Sequence, residues 1–317
     1  MTTARAHTNI ALIKYWGKKD PDLMLPYTSS LSMTLADYYT ETSVHFDASL
    51  DADQFYLDGR QTPAAKVSAF LDLVRQQAGR QEFATVTSAN HVPTTAGLAS
   101  SASAYAALAL AASTAAGMEL SATELSRLAR RGSGSASRSI AGGFVIWHRG
   151  HDDATSYAEP VATQPTIPIR MVVVLVNGGQ KAVSSRAGMQ NTVATSPFYS
   201  SFVTSNEAAI APMQTALANN DFTMIGELAE ASSYQMHATM LAAKPALSYF
   251  EPKTITALQH VQQLRQAGIP AYATMDAGPN VKILTLAPFV DRIVSTLRQD
   301  FKTVTVTQPG PAATLID

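Results

Sequence analysis

Pro93-Thr94-Thr95-Ala96-Gly97-Leu98-Ala99-Ser100-Ser101-Ala102 follows a run of strand character at 83–88 and leads without a break into an alanine-rich stretch, 100–116. That stretch has helical composition and no charged face, so the helix it predicts is buried on most sides. A strand, a Gly/Ser loop and the N-terminus of a buried helix form a context suited to phosphate. Glycine lets the backbone approach an anion, while hydroxyls and free amides at the helix end donate to it. The loop lacks the Gly-Lys-Ser/Thr ending of a Walker loop. No Asp, Glu, Lys or Arg occurs from Phe83 to Met118, so amides and the helix dipole would carry the binding, with Mg²⁺ as added charge. The competing reading is an ordinary turn capping a buried helix, and local composition does not decide between them.

Outward from this loop, strands and helices alternate. Residues 42–46 and 54–57 read as strands, the second running into the turn Asp58-Gly59-Arg60. Val67, Phe70, Leu71 and Val74 recur at helical spacing within 64–78, closed by Gly79. Ser121 with Glu124 gives a capping-box start to a helix that ends before Gly132. Strands are expected at 144–148 and 171–176, the latter a continuous apolar run typical of burial on both faces. Asp221 caps a long helix through Ile225, Leu228 and Met236, and Pro252 opens another over 253–266. Strands at 271–274, 281–286 and 303–307 flank a helix near 289–298. Mixed elements in both halves predict an α+β chain of two lobes, 1–178 and 179–317, divided near Gly178-Gly179.

With 317 residues, 46% hydrophobic and 15% charged, the chain can bury a large core. Absence of cysteine excludes a disulfide framework, a thiolate metal site and a thiol nucleophile. No basic-then-apolar segment opens the chain, so a cytoplasmic location is expected, and no apolar run is long enough to predict a membrane span. The seven histidines show no metal-ligand spacing, so no metal ligands are assigned. A formal net charge of −1 removes the global basic field that drives general nucleic-acid binding. Charge is nevertheless segregated. No acid occurs in 1–19 (Arg5, Lys14, Lys18, Lys19), in 125–151 (Arg127, Arg130, Arg131, Arg138, Arg149) or in 160–206 (Arg170, Lys181, Arg186). Three such stretches predict a concave electropositive site for a compact polyanion, against a background of chance and helix-terminus cations.

Three further segments carry candidate chemistry. Arg131-Gly132-Ser133-Gly134-Ser135-Ala136-Ser137-Arg138-Ser139 reads either as a flexible linker or as an anion-binding loop in which Arg138 offers a planar fork. Met275-Asp276-Ala277-Gly278-Pro279-Asn280 joins two strand candidates and holds the single acid between Pro252 and Val290. Asp276 is there either an Asx-turn former or a carboxylate that orients or deprotonates a hydroxyl. Asn9-Ile10-Ala11-Leu12-Ile13-Lys14-Tyr15-Trp16-Gly17-Lys18 is strand-like through Ile13, then aromatic and basic; Lys18 is either solvated or grips a terminal phosphate.

Together these segments resemble the GHMP superfamily of small-molecule kinases and, within it, the diphosphomevalonate decarboxylases. Pro93-x-x-x-Gly97-Leu98-x-Ser100-Ser101-Ala102 is similar to the superfamily's phosphate loop; the segments at Asn9, Gly132 and Met275 resemble the decarboxylases specifically. The resemblance implies a two-lobed GHMP kinase-like fold, with an N-terminal lobe like domain 2 of ribosomal protein S5 and a ferredoxin-like C-terminal lobe, assembled as a homodimer. It implies Asp276 as catalytic carboxylate, Arg138 as holder of the substrate carboxylate and Asn9 as the residue orienting this pair. It assigns Tyr15, Trp16, Gly17, Lys18, Arg60, Ser133, Gly134, Ser135, Ala136, Ser137, Ser185 and Arg186 to the substrate, whose anionic end is a diphosphate. Asn90, Pro93, Gly97, Ser100 and Ser101 fall to ATP with Mg²⁺. Ser137 departs from the pattern where many members carry cysteine, and Ala141 where an aromatic is common. Two other readings stand beside this one: a kinase that phosphorylates a small alcohol and stops, and an S5-like module on RNA. Arg138 with Asp276 supplies what a 3-hydroxy acid needs, which disfavours the first; near-neutral charge and the lack of an aromatic-basic stripe disfavour the second.

Overall fold

The computed structural model describes residues 1–91, 100–179 and 182–316, and only the backbone of Ser100. Pro93 and Gly97, with the side chain of Ser100, therefore lie outside the described residues.

In chain order the first lobe carries β1 (Thr2–Ile13), β2 (Lys18–Asp20), β3 (Leu25–Pro26), β4 (Ser30–Asp47), β5 (Gln54–Leu57), β6 (Arg60–Gln61), α1 (Ala65–Ala78), β7 (Phe83–Asn90), α2 (Ser100–Ala115), α3 (Ala122–Gly132), β8 (Phe144–Trp147) and β9 (Ala158–Pro160). The second carries β10 (Ile169–Val174), α4 (Ser185–Thr195), α5 (Tyr199–Ala208), α6 (Ile210–Ala218), α7 (Phe222–Leu241), α8 (Pro252–Gln266), β11 (Tyr272–Thr274), β12 (Val281–Leu286), α9 (Val290–Leu297) and β13 (Val304–Thr307); β14 (Thr314–Ile316) follows.

The large sheet runs β14-β1-β4-β7-β5-β6, with β8 paired to β4 and to β9. Among the described residues its one parallel pair is β5 with β7, and α1 supplies the crossover. The second sheet runs β11-β12-β10-β13. β10 belongs to that sheet, so the second lobe's sheet begins at Ile169, ahead of the division read at Gly178-Gly179, and β14 returns to the first sheet beside β1. An apolar run buried on both faces has no signature of which sheet it joins, which is why the sequence placed the boundary at the glycines instead.

Small side chains let α2 lie close over β1 and β4. Ala106, Ala107, Ala109, Ala111 and Ala112 are fully buried there, with Val67, Phe70 and Leu71 of α1 and Leu125 and Leu128 of α3. The opposite face of the sheet gives Ile10, Leu12, Leu31, Met33 and Phe144 to a core shared with Met213 of α6, Ile225 of α7, Met171 of β10 and Leu284 of β12. One apolar core thus joins the two lobes and holds the cleft between them. The capping box is present, with Ser121 N donating to Glu124 at 2.9 Å and Glu124 N to Ser121 at 3.3 Å. Asp221 caps α7 through Met224 N at 3.0 Å.

The β1–β4 pairing changes register between His7↔Tyr39 and Asn9↔Thr34. β4 bulges there, and its Leu35 bridges Pro309 while Ala36 N donates to Gln308 O at 2.9 Å. Such a bulge re-aims the side chains beside it, and the residue at this one is Asn9.

Candidate active site

Asn9 acts as a junction. Its Nδ2 donates to Ser135 O at 3.0 Å and to Ser139 Oγ at 2.8 Å, pinning the loop after α3 onto β1. Its Oδ1 accepts from Arg138 Nε at 3.3 Å and Nη2 at 3.1 Å. Arg138 Nη1 donates to Ser30 Oγ at 2.6 Å, and the guanidinium lies 5.8 Å from the Trp147 ring centroid. Three of the five guanidinium N–H groups are thereby engaged; the other two carry no hydrogen bond among the described residues, as a fork waiting for a carboxylate would. The side chain is 2% exposed. Burial brings its pKa down to about 10, opposed by the charge of Asp276 and then of Tyr15, so it remains a cation at neutral pH.

Asp276 stands in the turn after β11, with Lys14 Nζ 3.1 Å from its Oδ1. The lysine is 1% exposed and the carboxylate 32%, so the cation is sunk behind an acid that reaches the cleft. Lys14 Nζ also donates to Ala11 O at 2.7 Å. Burial lowers its pKa, the charge and hydrogen bond of Asp276 raise it, and Arg138 adds to the lowering. His237 Nε2 donates to the Asp276 carbonyl oxygen at 2.9 Å. Burial pushes that imidazole down to about 4, helped by Lys14, so it is neutral at pH 7.

The electropositive end of the cleft is built from four elements. Lys18 opens β2, half-buried; burial lowers its pKa and so does Arg186, which places two cations together. Lys18 has no ion pair among the described residues. Ser185 and Arg186 start α4, whose cap Ser184 accepts from Ala187 N at 3.2 Å. Burial drives the Tyr15 phenol well above its usual range, against Arg138 and Arg186. Its buried hydroxyl, 4.9 Å ring to ring from Trp147, finds no partner among the described residues. Ser133 Oγ lies 3.3 Å from Ser135 Oγ and 3.4 Å from Ser101 Oγ on the first turn of α2. The loop after α3 and the helix after the 93–102 loop therefore meet through hydroxyls.

Other predicted residues take supporting places. A Cβ on Gly134 would lie 2.9 Å from both the Tyr15 hydroxyl and Trp147. Gly17 has φ +100 and sits under Tyr199, whose hydroxyl donates to Trp16 O at 2.7 Å. Trp16 is buried with Tyr199, Met236 and Tyr249, and its indole N–H has no partner among the described residues. The side chains of Ala136 and Ser137 are fully buried and do not face the cleft: Ala136 packs with α2 and α3, and Ser137 Oγ donates to Gly134 O at 2.7 Å. Asn90 accepts from Thr40 Oγ1 at 3.0 Å, and its N–H donates to Asp58 at 2.8 Å. Arg60 follows that turn on the edge strand β6, exposed and without a side-chain bond among the described residues. The structure does not bring it to Asn9 and Asp276.

Most cations of the acid-free stretch 125–151 are spoken for elsewhere. Asp153 holds Arg127 at 2.6 Å, Arg130, and Arg131 at 4.0 Å. Arg130 also donates to Leu23 O and Ser156 O, tying α3 to the β2–β3 hairpin. Arg5 pairs with Glu41, and Arg149 with Glu207 at 3.6 Å. Among the described residues the electropositive cleft rests on Lys14, Lys18, Arg138 and Arg186. Ser30 and His237 were given no role from sequence; Lys14 was counted only among the cations of an acid-free stretch, and Ser139 only as the end of the loop after α3. A lysine flush against Ile10-Ala11-Leu12-Ile13 was the available signal for Lys14, and nothing in the helical pattern distinguished His237.

Among the described residues no cluster of three His, Cys, Asp or Glu side chains could hold a metal ion, and no helix is long and apolar enough to cross a membrane. Among the described residues the groups beside the start of α2 are the hydroxyls of Ser101, Ser133 and Ser135, oxygen donors that fit Mg²⁺ carried in by phosphate oxygens.

Comparison with known proteins meets this geometry. Residues 6–158 match the diphosphomevalonate decarboxylase-like N-terminal domain, and residues 171–312 the mevalonate 5-diphosphate decarboxylase C-terminal domain. Diphosphomevalonate decarboxylase from Homo sapiens is 36% identical over 325 residues, covering 94% of this chain and 80% of its own. Phosphomevalonate decarboxylase from Haloferax volcanii is 32% identical over 295 residues, covering 92% and 90%. Among solved structures, mevalonate diphosphate decarboxylase from Staphylococcus aureus superposes with a TM-score of 0.96 at 44% identity, over 100% of this chain and 98% of that one. A complex of MDDEF with MVAPP, AMPPCP and magnesium gives 0.95 at 47%, with the same coverage. Models of one family cover both lobes: the chain belongs to the diphosphomevalonate decarboxylases.

Proposed function

We propose that the cleft carries out the ATP-dependent decarboxylation of (R)-5-diphosphomevalonate to isopentenyl diphosphate, releasing ADP, phosphate and CO₂, a step of isoprenoid synthesis in the mevalonate pathway. The observation that carries this reading is the buried Arg138 fork, two N–H groups free among the described residues, beside the Lys14–Asp276 pair. A 3-hydroxy acid presents a carboxylate and a tertiary hydroxyl a short distance apart. Arg138 takes the first and Asp276 faces the second.

Lys18, Arg186, Tyr15 and the hydroxyls of Ser133, Ser135 and Ser185 hold the diphosphate end. Tyr15 gains an acceptor for its orphaned hydroxyl there, which relieves the cost of an unmade buried hydrogen bond. ATP supplies the phosphoryl group; Asn90 and Ser101 would lie on the nucleotide side, where Mg²⁺ bound with the ATP would supply positive charge against its phosphates. Asp276 orients the tertiary hydroxyl and accepts its proton as the oxygen is phosphorylated, turning a poor leaving group into a good one. Departure of that phosphate leaves positive charge at the tertiary carbon. The electron pair of the bond to the carboxylate then forms the alkene as CO₂ leaves. Asp276 faces the developing cation, and Arg138 keeps the carboxylate aligned until it departs. This is catalysis by orientation and preorganised charge.

Assembly as a homodimer, which rests on the family resemblance, is part of the same proposal, and a cytoplasmic location is proposed with it. Light scattering after size exclusion tests the first. The function is tested by product analysis with ATP, Mg²⁺ and mevalonate bearing no, one or two 5-phosphates. CO₂ and ADP should form together with the diphosphate alone at high kcat/KM. ADP without CO₂ from any of the three would make the chain a kinase.

A further inference from the structure

Helix α7 touches both partners of the Lys14–Asp276 pair through neighbouring buried side chains. Ser232 Oγ accepts from Lys14 N at 2.9 Å and donates to Asn206 Oδ1 at 2.9 Å. Asn206 Nδ2 in turn donates to Lys14 O at 2.9 Å, so both backbone groups of Lys14 are held. One residue further along α7, Ser233 Oγ accepts from Met275 N at 2.9 Å and donates to Met275 O at 3.2 Å. These are groups that β11, ending at Thr274, no longer serves. Four residues on, and so on the same helix face, His237 Nε2 donates to Asp276 O at 2.9 Å. Ser232, Ser233 and His237 are 2%, 5% and 3% exposed. The His237 ring packs on Phe250, centroid to centroid at 4.8 Å.

Asp276 lies on a turn between two short strands, and nothing in a turn by itself fixes a carboxylate to within a fraction of an ångström. A rigid helix that bonds the residue before it and its own carbonyl does so, because the peptide planes on both sides of its Cα are then set. We propose that His237 is a positioning residue for the reaction. By anchoring the Asp276 carbonyl to the helix that also anchors Lys14, it sets the carboxylate against the ammonium and the substrate hydroxyl. It touches neither substrate nor nucleotide. Carbonyl oxygen only accepts, so Nε2 carries the hydrogen, and the imidazole works as a neutral donor rather than as an acid or base.

The inference rests on the proposed function and separates from it experimentally. His237→Phe keeps a ring against Phe250 and removes the donor; His237→Gln restores an N–H donor of similar reach. Steady-state kinetics with 5-diphosphomevalonate and ATP should show kcat of the Phe variant reduced ~10- to 100-fold, the scale of a small misplacement of a catalytic group. KM for both substrates should stay within about threefold, and the Gln variant should recover most of the loss. Equal loss in both variants, a loss confined to KM, or a Phe variant within about twofold of wild type would overturn the proposal. If the Phe variant does not fold, the Gln variant decides alone: a kcat within about fivefold of wild type supports a donor role, and a larger loss contradicts it. Wild type that releases no CO₂ would instead overturn the proposed function.

Discussion

Lys14 at the end of β1 reaches 3.1 Å to Asp276 in the turn after β11, so the acid of the second lobe is held by a cation of the first. The pair spans the join between two sheets that share one apolar core. Lobe packing and active-site geometry are thus the same property, and the cleft is set by folding rather than by a late adjustment.

Lys14→Met keeps the volume and apolar stem while removing the charge. A hydrogen bond to a charged group contributes about 1.5–3 kcal/mol, so kcat/KM should fall roughly 10- to 100-fold. Removing only one side of the pair leaves Asp276 without its partner, so the melting temperature should also fall, by on the order of several °C. Stopped-time assays of CO₂ release beside calorimetric melting measure both. Loss of fold with unchanged specific activity in the surviving fraction would show that Lys14 is only structural.

Arg138→Lys keeps a positive charge and loses the fork that spans Asn9, Ser30 and the two remaining N–H groups. Removing one partner of a desolvated charge pair costs roughly 2–5 kcal/mol. Both Arg138→Lys and Arg138→Ala should therefore be strongly impaired in kcat/KM for the diphosphate substrate. Wild-type kinetics in the lysine variant would show that a point charge suffices.

His237 gives the fold a pH dependence with a definite sign. Its folded pKa, pushed to about 4 mainly by burial, lies below the unfolded 6.5. The unfolded chain thus binds the extra proton first, and stability is lost as pH falls from about 6.5 to about 4. The contribution is roughly 3 kcal/mol at most, and His7, also lowered by burial, acts in the same direction. Urea unfolding across that window should show a shallower slope for His237→Gln than for wild type. An unchanged slope would mean that the imidazole is already charged in the native state.

Gly17→Ala should destabilise by roughly 2–3 kcal/mol, because a side chain at φ +100 is strained and its Cβ would fall 1.9 Å from the Tyr199 hydroxyl. That contact would break the bond from Tyr199 to Trp16 O, so substrate KM should rise as well. Differential calorimetry and a substrate titration read the two effects; a neutral variant would show that the 15–18 segment moves freely.

Periodicity and capping made most helices and strands readable, from the 3-4 spacing in α1 to Ser121 and Asp221 as caps. α4 and α5 escaped because Ser, Thr, Asn and Ala dominate them and no strong apolar stripe emerges; α6 was missed although Ile210, Met213 and Leu217 recur at helical spacing. The roles expected of Asn9, Arg138 and Asp276 came from the resemblance of their segments to the family, because composition alone left Arg138 and Asp276 with a structural alternative and gave Asn9 no role. What composition could not convey was partnership. Arg127, Arg130 and Arg131 looked like part of an electropositive cleft, yet Asp153, two residues beyond the acid-free stretch, gathers all three. Lys14 and His237 gained meaning only when folding brought residues separated by 262 and 39 positions to the same turn.

The central claim is that Asp276 is the catalytic carboxylate of an ATP-dependent decarboxylation, and Asp276→Asn tests it most directly because the amide keeps the shape and loses the charge. ADP and CO₂ are measured together in wild type and variant, with substrate and nucleotide affinities taken by calorimetry. Wild type should release ADP, phosphate and CO₂ one to one to one, while the variant binds nearly normally and loses roughly 10²- to 10⁴-fold in rate, the scale of a general base. Full activity in Asp276→Asn would make Asp276 a turn residue, and ADP with an accumulating phosphorylated acid in wild type would contradict the decarboxylation itself.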